Sequence, residues 1–215
     1  MKEYDVYLFD WDGTLARTLE VWSQGIHATA LEYGLDVAYE DMGKHLGDLR
    51  WPLMYGLPEA RLDQFLQDSG KAVYSLLPGV QLYDDAAEVL KLLKQRGKLL
   101  ALVTTSNRAE VESAMGDRAA LRNVFDLMVT RNDVTKHKPD PEGIHHALKG
   151  LGVSKDRALM LGDTEKDIKA ACGAGIDSLL YYPDSHEKIY DLAYLQSFKP
   201  TYTVHSWRSF LDTVQ

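Results

Sequence analysis

The sequence predicts an α/β fold in which a doubly wound, mostly parallel sheet is interrupted near its start by a helical insertion. Two observations point to the sheet. Short apolar runs with β-branched and aromatic members alternate with helix-length amphipathic segments for most of the chain. Connections of that length require right-handed crossovers, which lay strands parallel and cover both faces with helices. The third observation is an exception: between Thr14 and Pro78 the alternation stops and apolar residues recur at helical spacing only.

Taken in order, Val6-Tyr7-Leu8-Phe9 reads as a buried strand that ends in an acid cluster. Within the exceptional stretch, helices are predicted at about 19–33, 39–46 and 58–76, the first carrying Val21, Trp22, Ile26, Ala30 and Leu31. Gly13 and Leu77-Pro78-Gly79 bound it as two hinges. Residues 83–96 place Ala86, Ala87, Val89, Leu90, Leu92 and Leu93 on one helical stripe that Gly97 stops. Leu99–Val103 is the next strand, with a helix from about Arg108. Phe125–Thr130, Ala158–Leu161 and Ile176–Tyr182 are further strands, a helix at about 141–150 separates the first two, and Tyr202-Thr203-Val204 is a candidate sixth strand.

The 215 residues, 45% hydrophobic and 26% charged, have globular composition. Apolar runs reach only about five residues, far short of the roughly 20 of a membrane helix. Acids occupy the N-terminus where a secretory signal would be basic and then apolar, and the one cysteine can close no intramolecular disulfide. A reducing cytoplasm is the expected location. Cys172, among alanines and glycines, is expected to be a buried small residue at tight helix–sheet packing. A net charge of −8 argues against nucleic acid or an acidic membrane as main partner. An anionic substrate would then require locally gathered positive charge.

Four segments carry chemistry. In Asp10-Trp11-Asp12-Gly13-Thr14 both carboxylates sit at the carboxyl end of a strand, where open α/β sheets bind ligands, and suit a divalent cation and an attacking oxygen. An isolated Asp-x-Asp is as often a surface turn; after a buried strand, an unpartnered acid cluster is costly. Leu102-Val103-Thr104-Thr105-Ser106-Asn107 places hydroxyls and free N–H groups before a helix, a phosphate seat or a simple capping turn. Lys138, in Lys136-His137-Lys138-Pro139-Asp140-Pro141, offers one cation, or a solvated loop charge. Gly162-Asp163-Thr164-Glu165-Lys166-Asp167 follows a strand; Asp163 and Asp167 lie four apart and share a face if the helix begins near Thr164, although Asp163 also suits a plain N-cap.

Together these segments resemble the haloacid dehalogenase superfamily of phosphotransferases, nearest its phosphoglycolate phosphatase and β-phosphoglucomutase group. Phe9-Asp10-Trp11-Asp12-Gly13-Thr14-Leu15 looks like the first motif, Thr104 the second, Lys138 the third and Gly162–Asp167 the fourth, in the family's order. The resemblance implies a Rossmann-like core at residues 1–15 and 79–215 and a C1-type helical cap at 16–78. It also implies a Mg²⁺-dependent phosphatase acting on a small phosphorylated metabolite, as monomer or homodimer. Asp10 would be the nucleophile that forms an aspartyl-phosphate, and Asp12 the general acid and then the base. Mg²⁺ would be held by Asp10, the Asp12 carbonyl and Asp163, with Asp167 a ligand or an outer acid. Thr104, with Thr105, Ser106 and Asn107, would hold phosphoryl oxygens, and Lys138 would neutralise Asp10 and the phosphate. Four carboxylates against one lysine leave the site at −3, so near-total metal dependence is expected.

Gly47 and Arg50 match a substrate-reading loop of the cap in β-phosphoglucomutase-like members, where Arg50 would grip a second anionic or hydroxylated group. Trp22, Trp51 and Tyr55 either line a pocket or pack as core. Arg17 departs from the pattern: many relatives have Asp-Ser where this chain has Arg17-Thr18, which puts a cation at the hinge beside the substrate. The Asp12 position favours phosphate transfer over dehalogenation, whose enzymes lack that aspartate. A sugar-phosphate mutase and a non-catalytic regulatory protein on the same scaffold are the alternatives.

Overall fold

The computed structural model describes residues 2–214. Six strands form one parallel sheet: β1 (Val6–Phe9), β2 (Leu99–Val103), β3 (Leu127–Val129), β4 (Ala158–Gly162), β5 (Asp177–Tyr181) and β6 (Tyr202–Val204), in the spatial order β3-β2-β1-β4-β5-β6. The chain works outward from β1 through β2 to β3, then returns to lay β4 on the other side of β1. That reversal is the switch point where doubly wound sheets open a crevice at their carboxyl edge. Register brings Phe9 of β1 opposite Leu102 of β2 and Leu161 of β4, so the residues following these strands leave the sheet together.

Alternation along β1 explains the two layers. Val6 and Leu8 join Ala101, Val103, Ile144, Ala147, Met160 and Ala170 on one face, while Tyr7 and Phe9 join Val89, Leu90, Val111, Trp207 and Phe210 on the other. The first face is covered by α8 (Glu142–Leu151) and α9 (Glu165–Ala174). Over the second lie α5 (Ala86–Gln95), α6 (Arg108–Met115) and α11 (Trp207–Val214). The last of these was not expected from the sequence; its Trp207 stacks on Tyr181 at 4.5 Å and its indole N–H donates to the Thr14 carbonyl. Short α7 (Ala119–Asn123) and α10 (Leu192–Gln196) complete the core.

The exceptional stretch folds as α1 (Thr18–Glu32), α2 (Met42–His45), α3 (Trp51–Met54) and α4 (Leu62–Leu76) around its own apolar cluster of Ala30, Leu35, Val37, Met42, Trp51, Leu57, Leu62 and Phe65. The helices expected at 39–46 and 58–76 each begin with a 3-10 turn, at Tyr39–Asp41 and Glu59–Arg61, and α3 was not anticipated. Trp51 is core, stacked on His45 at 4.9 Å. Its entry and exit strands pair with each other: Arg17 N–H donates to Gln81 O and Tyr83 N–H to Leu15 O. The reading of Cys172 is corrected. Cys172 is exposed, because α9 turns Ala170, Ala171 and Ala174 inward and the next position after Ala171 falls on the solvent side.

Gly25 lets α1 and α4 touch. A methyl there would lie 2.8 Å from Val73 N and 2.9 Å from its Cα, contacts that backbone cannot yield without moving the helices apart. Gly25→Ala should therefore destabilise the helical segment by about 1–3 kcal/mol despite alanine's higher helix propensity, measurable by thermal or urea unfolding. Stabilisation instead would show that the two helices slide freely.

Candidate active site

Asp10 follows β1, Thr104 follows β2 and Asp163 follows β4, so sheet register alone brings the three strand ends to the switch point. The Asp10 N–H donates to Leu161 O at 2.8 Å, which extends the β1–β4 ladder into the site. Gly13 takes φ +69° and packs where a side chain would collide with the Asp163 carboxylate, so that turn admits only glycine. Thr14, fully buried, donates from Oγ1 to Asp163 Oδ1 at 3.1 Å. Thr164, not Asp163, is the N-cap of α9: Asp167 Oδ2 accepts from the Thr164 N–H and hydroxyl in a capping box. Freed from capping, Asp163 turns to the cluster.

Lys138 reaches in from the loop before α8. Its Nζ lies 2.7 Å from Asp10 Oδ1 and 2.6 Å from Asp167 Oδ1, with the side chain 4% exposed. Oxygens of Asp10, Asp163 and Asp167, all buried, lie within 4.8 Å of one another. One ammonium cannot balance three carboxylates in so dry a place. Burial, with Lys138 only partly opposing it, pushes Asp10 up to about 7. Asp163 is driven well above the usual carboxylate range by burial, then by Asp167 and Asp10. Lys138 is held charged: Asp10 and Asp167 overcome the effect of its burial and raise it. Asp163 Oδ2 is buried without a hydrogen-bond partner. A hard divalent cation fits this donor set, since it takes carboxylate oxygens and supplies the charge that is short.

Asp12 is half-buried beside this group. It accepts from Ser106 Oγ at 2.5 Å and Thr104 Oγ1 at 3.5 Å, and Thr104 Oγ1 in turn accepts from the Ser106 N–H. Asp10, Asp12, Thr104, Ser106, Lys138, Asp163 and Asp167 thus form one connected site. Other expected residues stand apart from it. Asn107 caps α6: its Oδ1 accepts from Glu110 N–H and its own N–H donates to Glu110. The Thr105 carbonyl accepts from Arg131. Arg17 lies over the Tyr83 ring at 4.7 Å, with Glu20 and Asp84 at 3.5 and 3.4 Å. Gly47 takes φ +94°, and Arg50, exposed, pairs with both oxygens of Glu59 at 2.9 Å. Sequence reasoning gave Thr14 no role of its own and passed over Tyr190, whose hydroxyl is driven well above the usual phenol range by burial and then by the Asp163 carboxylate. The first had a signal, its place in the motif; the second had none.

A family model described as haloacid dehalogenase-like hydrolase matches residues 7–181. Pyrophosphatase PpaX of Halalkalibacterium halodurans is 31% identical over 223 aligned positions, spanning 99% of this chain and 97% of that protein. PpaX of Bacillus cereus is 28% identical over 206, spanning 95% and 93%. Among solved structures, a haloacid dehalogenase-like family hydrolase from Streptococcus pneumoniae covers 100% of both chains with a TM-score of 0.81 at 20% identity. CbbY from Rhodobacter sphaeroides, solved in complex with phosphate, covers 95% of both with a TM-score of 0.72 at 23% identity. Among the described residues no helix is long and apolar enough to cross a membrane.

The raised carboxylates set a pH dependence. A folded-state value above the unfolded one means the fold binds extra protons between the ordinary Asp range and about 7, so stability from this source falls as pH rises through that window. Asp163→Asn, which keeps the Thr14 contact, should raise the melting temperature in EDTA at pH 8 by an amount equivalent to about 1–2 kcal/mol. The gain should shrink toward pH 5, and added Mg²⁺ should no longer stabilise the variant. A variant no more stable than the parent at pH 8 would contradict this account of the cluster.

Proposed function

The chain belongs to the haloacid dehalogenase-like hydrolases, and from that premise, as a phosphatase of the family, we propose that it hydrolyses a small-molecule phosphate monoester with Mg²⁺ through an aspartyl-phosphate on Asp10. The observation that carries the reading is the group of three buried carboxylates around one lysine, with an unpartnered Asp163 oxygen, at the switch point of the sheet. Asp10 and Asp163 would hold the Mg²⁺. Asp167 would act from behind: Lys138 takes one of its oxygens and Thr164 the other, which suits it to holding the lysine. When bound, the cation supplies charge that draws Asp10 and the phosphate dianion together.

In this reading Asp10 attacks phosphorus with one carboxylate oxygen while the ester oxygen leaves. Lys138, fixed between two carboxylates, holds Asp10 in place and would, together with the bound cation, favour its ionised form. Asp12 delivers a proton to the leaving oxygen, then takes one from the water that attacks the aspartyl-phosphate, releasing phosphate and restoring Asp10. A half-buried Asp12 in contact with Ser106 and Thr104 suits a group that must change protonation within one cycle. The Thr104 and Ser106 hydroxyls, which donate to Asp12 here, would turn to phosphoryl oxygens when a substrate binds. Residues 16–78 would form the cap, and Arg50 would exchange Glu59 for a second anionic group of the substrate. Pyrophosphate is the second reading, favoured by the 31% identity to a pyrophosphatase.

Phosphate release from a panel of phosphorylated metabolites and inorganic pyrophosphate, with Mg²⁺ and with EDTA, tests both. Metal-dependent release faster than from p-nitrophenyl phosphate is expected for the true substrate, and the panel separates ester from anhydride. Asp10→Asn should reduce turnover to background with the fold intact; an active variant rules out the covalent route. Arg50→Ala should raise KM for the true substrate more than for p-nitrophenyl phosphate, and an equal rise would remove its role in the cap.

A further inference from the structure

Helix α11 has no part in the mechanism above, yet its first residue reaches the turn that follows Asp10 and Asp12. Trp207, fully buried, donates from its indole N–H to the Thr14 carbonyl at 3.1 Å. Its ring is clamped in that direction. It stacks on Tyr181 at 4.5 Å, stands edge-on to Phe210 at 5.7 Å and meets Phe9, the residue before Asp10, at 5.8 Å. The chain just before the helix is tied down as well: His205 Nδ1 shares a hydrogen bond of 2.9 Å with the Tyr182 carbonyl, and the Tyr182 N–H donates to Val204 O at 2.9 Å. Burial alone does not enforce the indole bond, because Trp11 in the same apolar cluster is buried with its indole N–H unpartnered.

The residue that receives this bond gives it a consequence. Residues 13 and 14 set the position of the Asp163 carboxylate from two sides. Thr14 Oγ1 donates to Asp163 Oδ1 at 3.1 Å. Gly13 lies so close to the other oxygen that a Cβ there would be 2.2 Å from Oδ2 and 2.8 Å from Cγ. Oδ2, which no protein group takes, is the oxygen left for a cation. Within the turn, the N–H groups of Thr14, Leu15 and Ala16 all converge on the Trp11 carbonyl, at 3.4, 3.1 and 3.0 Å. The amides thus fix the turn from one side, and the indole holds the Thr14 carbonyl from the other. Carbonyl and hydroxyl belong to one residue, so whatever shifts the first also shifts the second.

We propose that Trp207 is a positioning residue of the site, which acts through Thr14 to aim the free oxygen of Asp163 at the cation. The indole fixes the Thr14 carbonyl, the Thr14 hydroxyl fixes Oδ1, and Oδ2 is thereby presented to the cluster. Groups that orient a metal ligand from behind are typically worth about 10–100-fold in metal affinity. A group one residue further back acts through a single neutral hydrogen bond and contributes less. The end of the chain is in this way coupled to an acid near its middle. The role in turnover rests on the phosphatase reading; the effect on cation binding needs only the acid cluster.

Mg²⁺ titration calorimetry on the full chain tests this with Thr14→Val, Trp207→Phe and the two together. Thr14→Val should bind about tenfold more weakly than the parent, and Trp207→Phe about threefold to tenfold more weakly. Thr14→Ser, which keeps the hydroxyl, should stay near the parent. Because the indole acts through Thr14, the double variant should bind no more weakly than Thr14→Val. The kcat of Trp207→Phe should recover at saturating Mg²⁺. A loss of packing alone would lower the melting temperature in EDTA and leave the Mg²⁺ affinity of the folded protein unchanged. Parent-like affinity in Trp207→Phe, or the same factor lost with and without the Thr14 hydroxyl, overturns the proposal. Should Trp207→Phe not fold, benzothienylalanine incorporated at position 207, a tryptophan isostere without the N–H, puts the same question. A parent chain that binds Mg²⁺ but releases phosphate from no substrate removes the phosphatase reading, and the titrations still decide this inference.

Discussion

A single ammonium group, shut away from water between Asp10 and Asp167, is the constraint around which the site is built. Burying a charge is tolerable only with compensation in place, and here the compensation is over-supplied: Asp163 is a third acid for which no cation remains. Each neighbouring oddity follows from keeping these groups together. Gly162 lacks a side chain because the Asp167 carboxyl carbon lies 2.2 Å from where its Cβ would be, and Gly13 lacks one because of Asp163. Thr164 takes over the helix cap so that Asp167 is oriented from two directions.

The chain as a whole is acidic, yet the reaction we propose gathers anions. Electrostatics on the two scales are separate. The excess of 32 acids over 24 bases gives the molecule its field, whereas the site depends on interactions over a few ångströms in a medium where charges are poorly screened. A shortage of positive charge there makes the site selective for a cation before any phosphate arrives. In metal-free protein the same shortage is met by protons, which is why Asp10 and Asp163 titrate high.

Much of this was legible in the sequence because β1, β2 and β4 are short apolar runs and the reactive residues follow them directly. Strand alternation and crossover handedness then fix which ends converge. Asp167 was readable as a site residue but not as a holder of Lys138, since its partner comes from 29 residues away and only tertiary packing joins them. Nothing in the sequence marks His186 or Trp207, whose polar atoms meet Tyr83 and the Thr14 carbonyl only through tertiary packing. Cys172 was misplaced for a smaller reason: in a helix of small residues the buried stripe has no large side chain to mark its phase. Boundaries failed where 3-10 turns precede α2 and α4, because such turns share the residue preferences of helix starts.

The paired hinge strands have a consequence for how such a molecule can change over generations. Entry and exit of the helical segment lie one hydrogen bond apart, at Arg17 with Gln81 and Leu15 with Tyr83. The entropy of closing a loop grows only slowly with its length, so the sheet is nearly indifferent to what is strung between those points. Between the residues that pack on the core, such as Leu19, Trp22, Val73 and Leu77, the segment can change in length while its two ends stay where β1 and the strand order need them. The helical segment and the acid cluster can therefore vary on separate courses, joined only at that pair of strands.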